Sequence, residues 1–225
     1  MITKNKTSRG FYSLYLLLIP VFCGLMLAFS NKPGLSIAKH AAASDGVVIV
    51  VDPGHGGTDA GSTSTSGLTE KQLTLSIAKE VQVSGSEKGL KVILTRAGDE
   101  SLTLPERTSA SEKHGAKLFL SIHVNSHGDV SKSGIECMIS ESNVAFEQSR
   151  MFGDHLMREL GLLKGMRING IIESDFYVLK NNSVPAIALE LGYLSNDGDK
   201  MFISKETNQK IIAERIVSAI LKQLK

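Results

Sequence analysis

The sequence predicts an α/β fold: a three-layer sandwich with a mostly parallel central sheet flanked by helices, in one domain. Three observations point there. Apolar runs of strand length alternate with segments of helical period. Glycine-rich or polar turns separate them. The apolar share, 42% of 225 residues, is enough for one packed core. Only 5% of residues are aromatic, 21% are charged and five are proline, which excludes disordered and collagen-like chains. Of two cysteines, Cys23 sits in an N-terminal apolar run and Cys137 is alone in the remainder, so no disulfide scaffold supports the domain.

The elements follow in order. Residues 47–52 (VVIVVD) read as a buried strand, followed by a glycine-rich loop. Thr69-Glu70-Lys71-Gln72 has capping-box spacing, and Leu73, Ile77 and Val81 then recur four apart, which predicts a helix ending near Lys88-Gly89. Residues 90–96 (LKVILTR) form a second strand. Pro105 suits the first turn of a helix running to His114, and 117–125 (KLFLSIHVN) form a third strand. Residues 134–140 read as an edge strand. A helix over 143–160, capped by Ser142 or Asn143, puts Phe152, Leu156 and Leu160 on one face, with Met151 and Met157 as core filler. Residues 164–175 read as a loop, and 176–180 and 186–192 as two further strands. An amphipathic helix over 204–222 closes the chain, with Ile211, Ile212, Ile216, Ile220 and Leu224 near its inner face.

Charge divides the chain. The first 46 residues hold five bases (Lys4, Lys6, Arg9, Lys32, Lys39) against Asp45 alone. Of the totals of 25 basic and 23 acidic residues, 20 and 22 therefore remain for 47–225. A near-neutral body without a basic stripe gives no footprint for nucleic acid. Residues 11–29 (FYSLYLLLIPVFCGLMLAF) carry no charge and follow the basic flank, the pattern of an export signal that leaves everything downstream outside the cytoplasm. The span 1–30 is therefore a signal peptide or an N-terminal membrane anchor. Ala28-Phe29-Ser30 offers a cleavage site, and a membrane partner follows if it goes uncut. Residues 31–46 are a linker, and 47–225 the folded domain.

In open α/β sheets ligands sit beyond the carboxyl ends of the strands. There the first strand finishes in Asp52-Pro53-Gly54-His55-Gly56-Gly57, with a histidine in a tight turn whose glycines keep bulk from the ring. The third finishes in Ser121-Ile122-His123-Val124-Asn125. Glu70 opens the first helix, where the helix dipole alone would account for an acid. Glu190 lies within the apolar run 186–192, a costly place for an unpaired carboxylate. Two imidazoles and two acids at one sheet edge make a metal site. Two nitrogens plus one carboxylate are the donor set of a catalytic zinc that keeps a fourth position for water, and a further carboxylate can carry the proton. Structural zinc would favour four closed ligands including cysteine, and none is available here.

These residues resemble the zinc-dependent N-acetylmuramoyl-L-alanine amidases of the bacterial cell wall, the amidase type 3 family, over nearly all of 47–225. The marks are DPGHGG (52–57), Glu70, Thr95-Arg96, SIHVNS (121–126) and VPAIALELGYLSN (184–196). The resemblance implies a zinc ion held by His55, Glu70 and His123, with Glu190 as the catalytic acid and base. The implied reaction is hydrolysis of the amide between N-acetylmuramic acid and the L-alanine of the stem peptide. Peptidoglycan is then the partner and the bacterial envelope the location. Some members are gated by a helix that an activator protein displaces. No obvious insertion of that kind lies between Cys137 and Phe176, which implies an ungated site. Asn125, on the face of His123 by strand alternation, and Arg167 and Asn169, in the loop 164–175, are candidate substrate contacts. His114, His127 and His155 read as surface or partly packed residues. Two alternatives stand: another zinc peptidase or carboxypeptidase of wall peptides, since the metal set does not name the scissile bond, and a wall-binding domain without turnover.

Overall fold

The computed structural model describes residues 46–225. The expected export segment lies outside them, as does the linker apart from Gly46. No helix among the described residues is long and apolar enough to cross a membrane. Strands β1 (Val48–Pro53), β2 (Lys91–Leu94), β3 (Leu118–Asn125), β4 (Ile135–Ile139), β5 (Ile168–Glu173) and β6 (Ala186–Tyr193) form one sheet in the order β2-β1-β3-β6-β4-β5. The first four in that order run parallel. β4 is antiparallel to β6, and β5 runs parallel to β4.

Six helices complete the described chain: α1 (Glu70–Glu87), α2 (Leu104–His114), α3 (Phe146–Leu160), α4 (Tyr177–Lys180), α5 (Asp197–Ile203) and α6 (Glu206–Gln223). The expected capping box opens α1, where Gln72 Oε1 accepts from the Thr69 backbone N–H at 3.2 Å and from its hydroxyl at 2.8 Å. Another, absent from the sequence reading, opens α2: the Thr103 N–H donates to Glu106 Oε2 at 2.7 Å and Thr103 Oγ1 accepts from the Glu106 N–H at 3.4 Å. Gly115, left-handed at φ 61°, ends that helix.

Strand alternation makes the two faces of the sheet unequal. Ile49, Val51, Leu118, Leu120, Ile122, Ile187 and Leu189 point to one face, where they meet the apolar sides of α1, α3 and α6 in the main core. Val50, Phe119, Ala186 and Ala188 point to the other, where only α2 and the single turn of α4 cover them. Two short helices cannot roof the whole second face. The carboxyl ends of β1, β3 and β6 are left under an open cleft of about 610 Å³.

Several expectations on the far half of the sheet are corrected. Residues 134–140 do hold a strand, but β4 lies inside the sheet and β5 forms its edge, within the segment read as a loop. Residues 176–180, read as a strand, contain the helical turn α4. α3 starts at Phe146 rather than 143, after an Ala145 N-cap. Asn143 acts one step earlier, its Oδ1 accepting from the Ala145 N–H at 2.7 Å while Nδ2 donates to the Leu179 carbonyl at 2.6 Å. Met151 and Ile211 are exposed, at 51% and 43%, because neither falls on the buried stripe of its helix.

Candidate metal centre

The turn after β1 places the first imidazole. His55 has φ 61°, the one left-handed non-glycine residue among those described, a conformation that costs about 1–3 kcal/mol. Two buried arginines hold it there. Arg107 Nη1 donates to Asp52 Oδ1 at 2.8 Å and to the Pro53 carbonyl at 2.9 Å, and its Nη2 donates to the His55 carbonyl at 2.8 Å. Arg96 Nε donates to the Pro53 carbonyl at 3.0 Å and Nη2 to the Gly54 carbonyl at 2.8 Å. Each carbonyl from Pro53 to His55 is thus tied to a guanidinium.

Three donors converge beside this turn. His55 Nε2 and His123 Nδ1 each lie 3.0 Å from Glu70 Oε1, and one ligand atom from each of the three residues falls within 4.8 Å of the others. The two rings meet edge to face with centroids 5.0 Å apart. Two backbone amides fix the carboxylate: the Ser62 N–H donates to Oε2 at 3.0 Å and the Val124 N–H to Oε1 at 3.1 Å. Burial alone would raise the Glu70 pKa. The hydrogen bonds from His123 and His55, joined by the Ser62 amide, overcome that and hold it well below the usual carboxylate range. The bond to Glu70 is also the main reason His55 is raised to about 9.

The glycines of this region make room for the rings. A Cβ on Gly54 would stand 2.3 Å from Cε1 and 2.6 Å from Nδ1 of His123. One on Gly61, itself at φ 63°, would stand 2.6 Å from Cδ2 of His55 and 2.7 Å from Oε2 of Glu70.

Glu190 stands on β6 as the register partner of His123 on one side and of Glu136 on the other. Its Oε2 is buried without a hydrogen-bond partner. Burial raises its pKa to about 7, with the charges of Glu70 and Glu136 adding to the rise and His123 opposing it. Glu136, 9% exposed, accepts from Tyr193 Oη at 2.8 Å and from Asn169 Nδ2 at 3.0 Å, with Asn125 Nδ2 3.5 Å from its other oxygen.

The structure brings His55, Glu70, His123 and Glu190 together and adds three neighbours that the sequence did not single out. Asp59 Oδ2 lies 2.8 Å from His55 Nδ1, turning the ring so that Nε2 faces Glu70. Its signal, an acid four residues after the histidine, was present but unread. Arg107 lies within α2, with no local sequence signal for its role. Glu136 sits at the start of its strand, and only the antiparallel direction of β4 carries that end to the site. Of the candidate substrate contacts, Asn125 lines the cleft with His55, Glu70 and His123. Arg167 and Asn169 lie outside it, in a separate hollow with Lys132, Glu136 and Tyr193. His114 and His127 are exposed and His155 is half-buried, and none of them joins His55, Glu70 and His123.

A mostly parallel α/β sheet thus carries two imidazoles and a carboxylate at its carboxyl edge, with a buried acid alongside, a donor set that could hold one metal ion. Residues 49–222 match the family model described as N-acetylmuramoyl-L-alanine amidase. The chain is 34% identical over 198 residues to the uncharacterized protein YqiI of Bacillus subtilis, an alignment covering 88% of this chain and 92% of that one. It is 30% identical to the N-acetylmuramoyl-L-alanine amidase LytC of the same organism, over 78% of this chain and 34% of LytC, so it spans about a third of that relative. The crystal structure of an N-acetylmuramoyl-L-alanine amidase from Clostridium difficile 630 superposes with a TM-score of 0.76 at 30% identity, covering 80% of this chain and 98% of that one. The chain belongs to the N-acetylmuramoyl-L-alanine amidase family, and as such is a hydrolase acting on peptidoglycan.

Proposed function

We propose that the chain cleaves the amide between the lactyl group of N-acetylmuramic acid and L-alanine with a zinc ion held by His55, Glu70 and His123. The convergence of two imidazoles on one buried carboxylate oxygen carries this reading. Two nitrogens and one oxygen without cysteine are a catalytic rather than a structural zinc set, and the triad faces the cleft. Zinc bound there would polarise the amide carbonyl and lower the pKa of a water molecule toward about 7.

The chain's own residues do the rest. Glu190 has an oxygen without a partner and a pKa raised to about 7, so near neutral pH it can take a proton from water and return it to the leaving amine. Asp59 holds His55 in the tautomer that leaves Nε2 free of hydrogen. Asn125 orients substrate from within the cleft, and Arg167 and Asn169 meet outlying carboxylates or hydroxyls of the substrate from the adjacent hollow. Residues 11–29 export the chain to the bacterial envelope, where it acts outside the cytoplasm, released or membrane-held.

Digestion of purified peptidoglycan followed by mass analysis tests this. Free stem peptides beginning at L-alanine are expected, lost with a chelator and restored by zinc. Shortened stems still on muramic acid would identify a peptidase, and unaltered wall in the presence of zinc a binding domain.

A further inference from the structure

The rim of the cleft is chemically lopsided. Toward α2 and α4 it is built from Leu102, Leu104, Phe176, Tyr177 and Val178 together with the hydroxyl of Thr103. Leu104, Phe176 and Tyr177 remain exposed, at 48%, 47% and 38%, although they adjoin an otherwise well-packed core. The charged side chains behind this rim, Arg107 and Asp52, are paired with each other, and Arg107 is also tied to the carbonyls of the turn. Elsewhere, apart from Val124, the lining is polar, with Asp59, Ser62, Asn125 and Ser126. Clustered apolar side chains left in water beside a reactive centre mark a place where a ligand covers them.

The two halves of the substrate differ in the same way. The only ionisable group of N-acetylmuramic acid is its lactyl carboxyl, and that group is consumed in the scissile amide. The sugar half is therefore uncharged and offers C–H faces and methyl groups. The peptide half carries carboxylates and needs polar partners.

We infer that Leu104, Phe176 and Tyr177 form the subsite for the muramyl sugar, so that the glycan lies toward α2 and α4 and the stem peptide leaves past Asn125 and Ser126. This rests on the amidase reading and adds the direction in which the substrate lies. The aromatic faces of Phe176 and Tyr177 pack against the sugar's C–H groups, and Leu104 against a methyl.

The test compares two substrates of the full-length chain: a disaccharide carrying the stem peptide, and the same stem bearing only the lactyl group. In the Phe176→Ala/Tyr177→Ala variant the KM for the disaccharide substrate is expected to rise about tenfold with little change in kcat, while the lactyl peptide is cleaved as by wild type. Saturation-transfer NMR with the free disaccharide supplies a readout without turnover: its ring protons are expected to receive saturation from wild type and to lose it with the variant. Equal losses on both substrates, or no loss on either, would overturn the subsite while leaving the amidase reading intact. A wild type that cleaves neither substrate in the presence of zinc would overturn both.

Discussion

His123 and Glu190 face each other across β3 and β6, register partners in adjacent parallel strands. Parallel partners project to the same side of a sheet, so the proposed metal ligand and the proposed proton carrier are placed by main-chain pairing and by no flexible loop. Replacing Glu190 by Gln keeps the shape of the pair and removes the carrier. Glu190→Gln is expected to retain zinc at the wild-type level by elemental analysis and to lose kcat by about 10²–10⁴-fold. Retention of full activity would remove Glu190 from its assigned role.

The hydrogen bond from Asp59 to His55 leads to a second expectation. Asp59 is largely exposed, so its loss leaves the core untouched, yet it sets which nitrogen of His55 faces Glu70. Asp59→Ala should weaken zinc binding about 10–100-fold with an unchanged circular dichroism spectrum. Competition with a chromophoric chelator measures this, and an unaltered affinity would reduce Asp59 to a surface residue.

Gly54 gives a purely steric prediction. A methyl there overlaps the His123 ring, whose Nδ1 would lie 2.6 Å from it. Gly54→Ala should displace the ring and lower both zinc occupancy and activity, by at least about tenfold for a misplacement near 1 Å. Zinc occupancy and turnover equal to wild type would show that the ring has another resting place.

The pH dependence follows from Glu190. In the proposed mechanism its conjugate base is the working form, and its pKa rises from 4.5 to about 7, so activity is expected to fall as pH drops through that interval. At saturating zinc, the acid limb of kcat/KM is expected between those two values. Glu136→Gln removes one charge that raises the Glu190 pKa, and should move the limb to lower pH. A variant that merely loosened β4 would lower the plateau and leave the limb in place.

The sequence carried β1, β3 and β6 plainly, because buried strands of a parallel sheet are continuous apolar runs. The same runs exposed Glu190 as an anomaly. Glu70 was legible through the capping box that opens α1. β5 was not legible: an edge strand broken by Asn169 and Gly170, with no fully buried residue, has neither alternation nor an apolar run. α4, at four residues, is shorter than the period that would reveal it. Arg96 was visible only as part of a motif. Its part in holding the His55 turn, like that of Arg107, depends on contacts between residues about forty to fifty positions apart, which local patterns do not encode.

The most direct test of the metal centre is diffraction from crystals grown with zinc, collected at the zinc absorption edge. On the zinc assignment, one anomalous peak is expected within about 2.0–2.2 Å of His55 Nε2, His123 Nδ1 and Glu70 Oε1. A peak at other side chains, or none at this triad in zinc-saturated crystals, would contradict it.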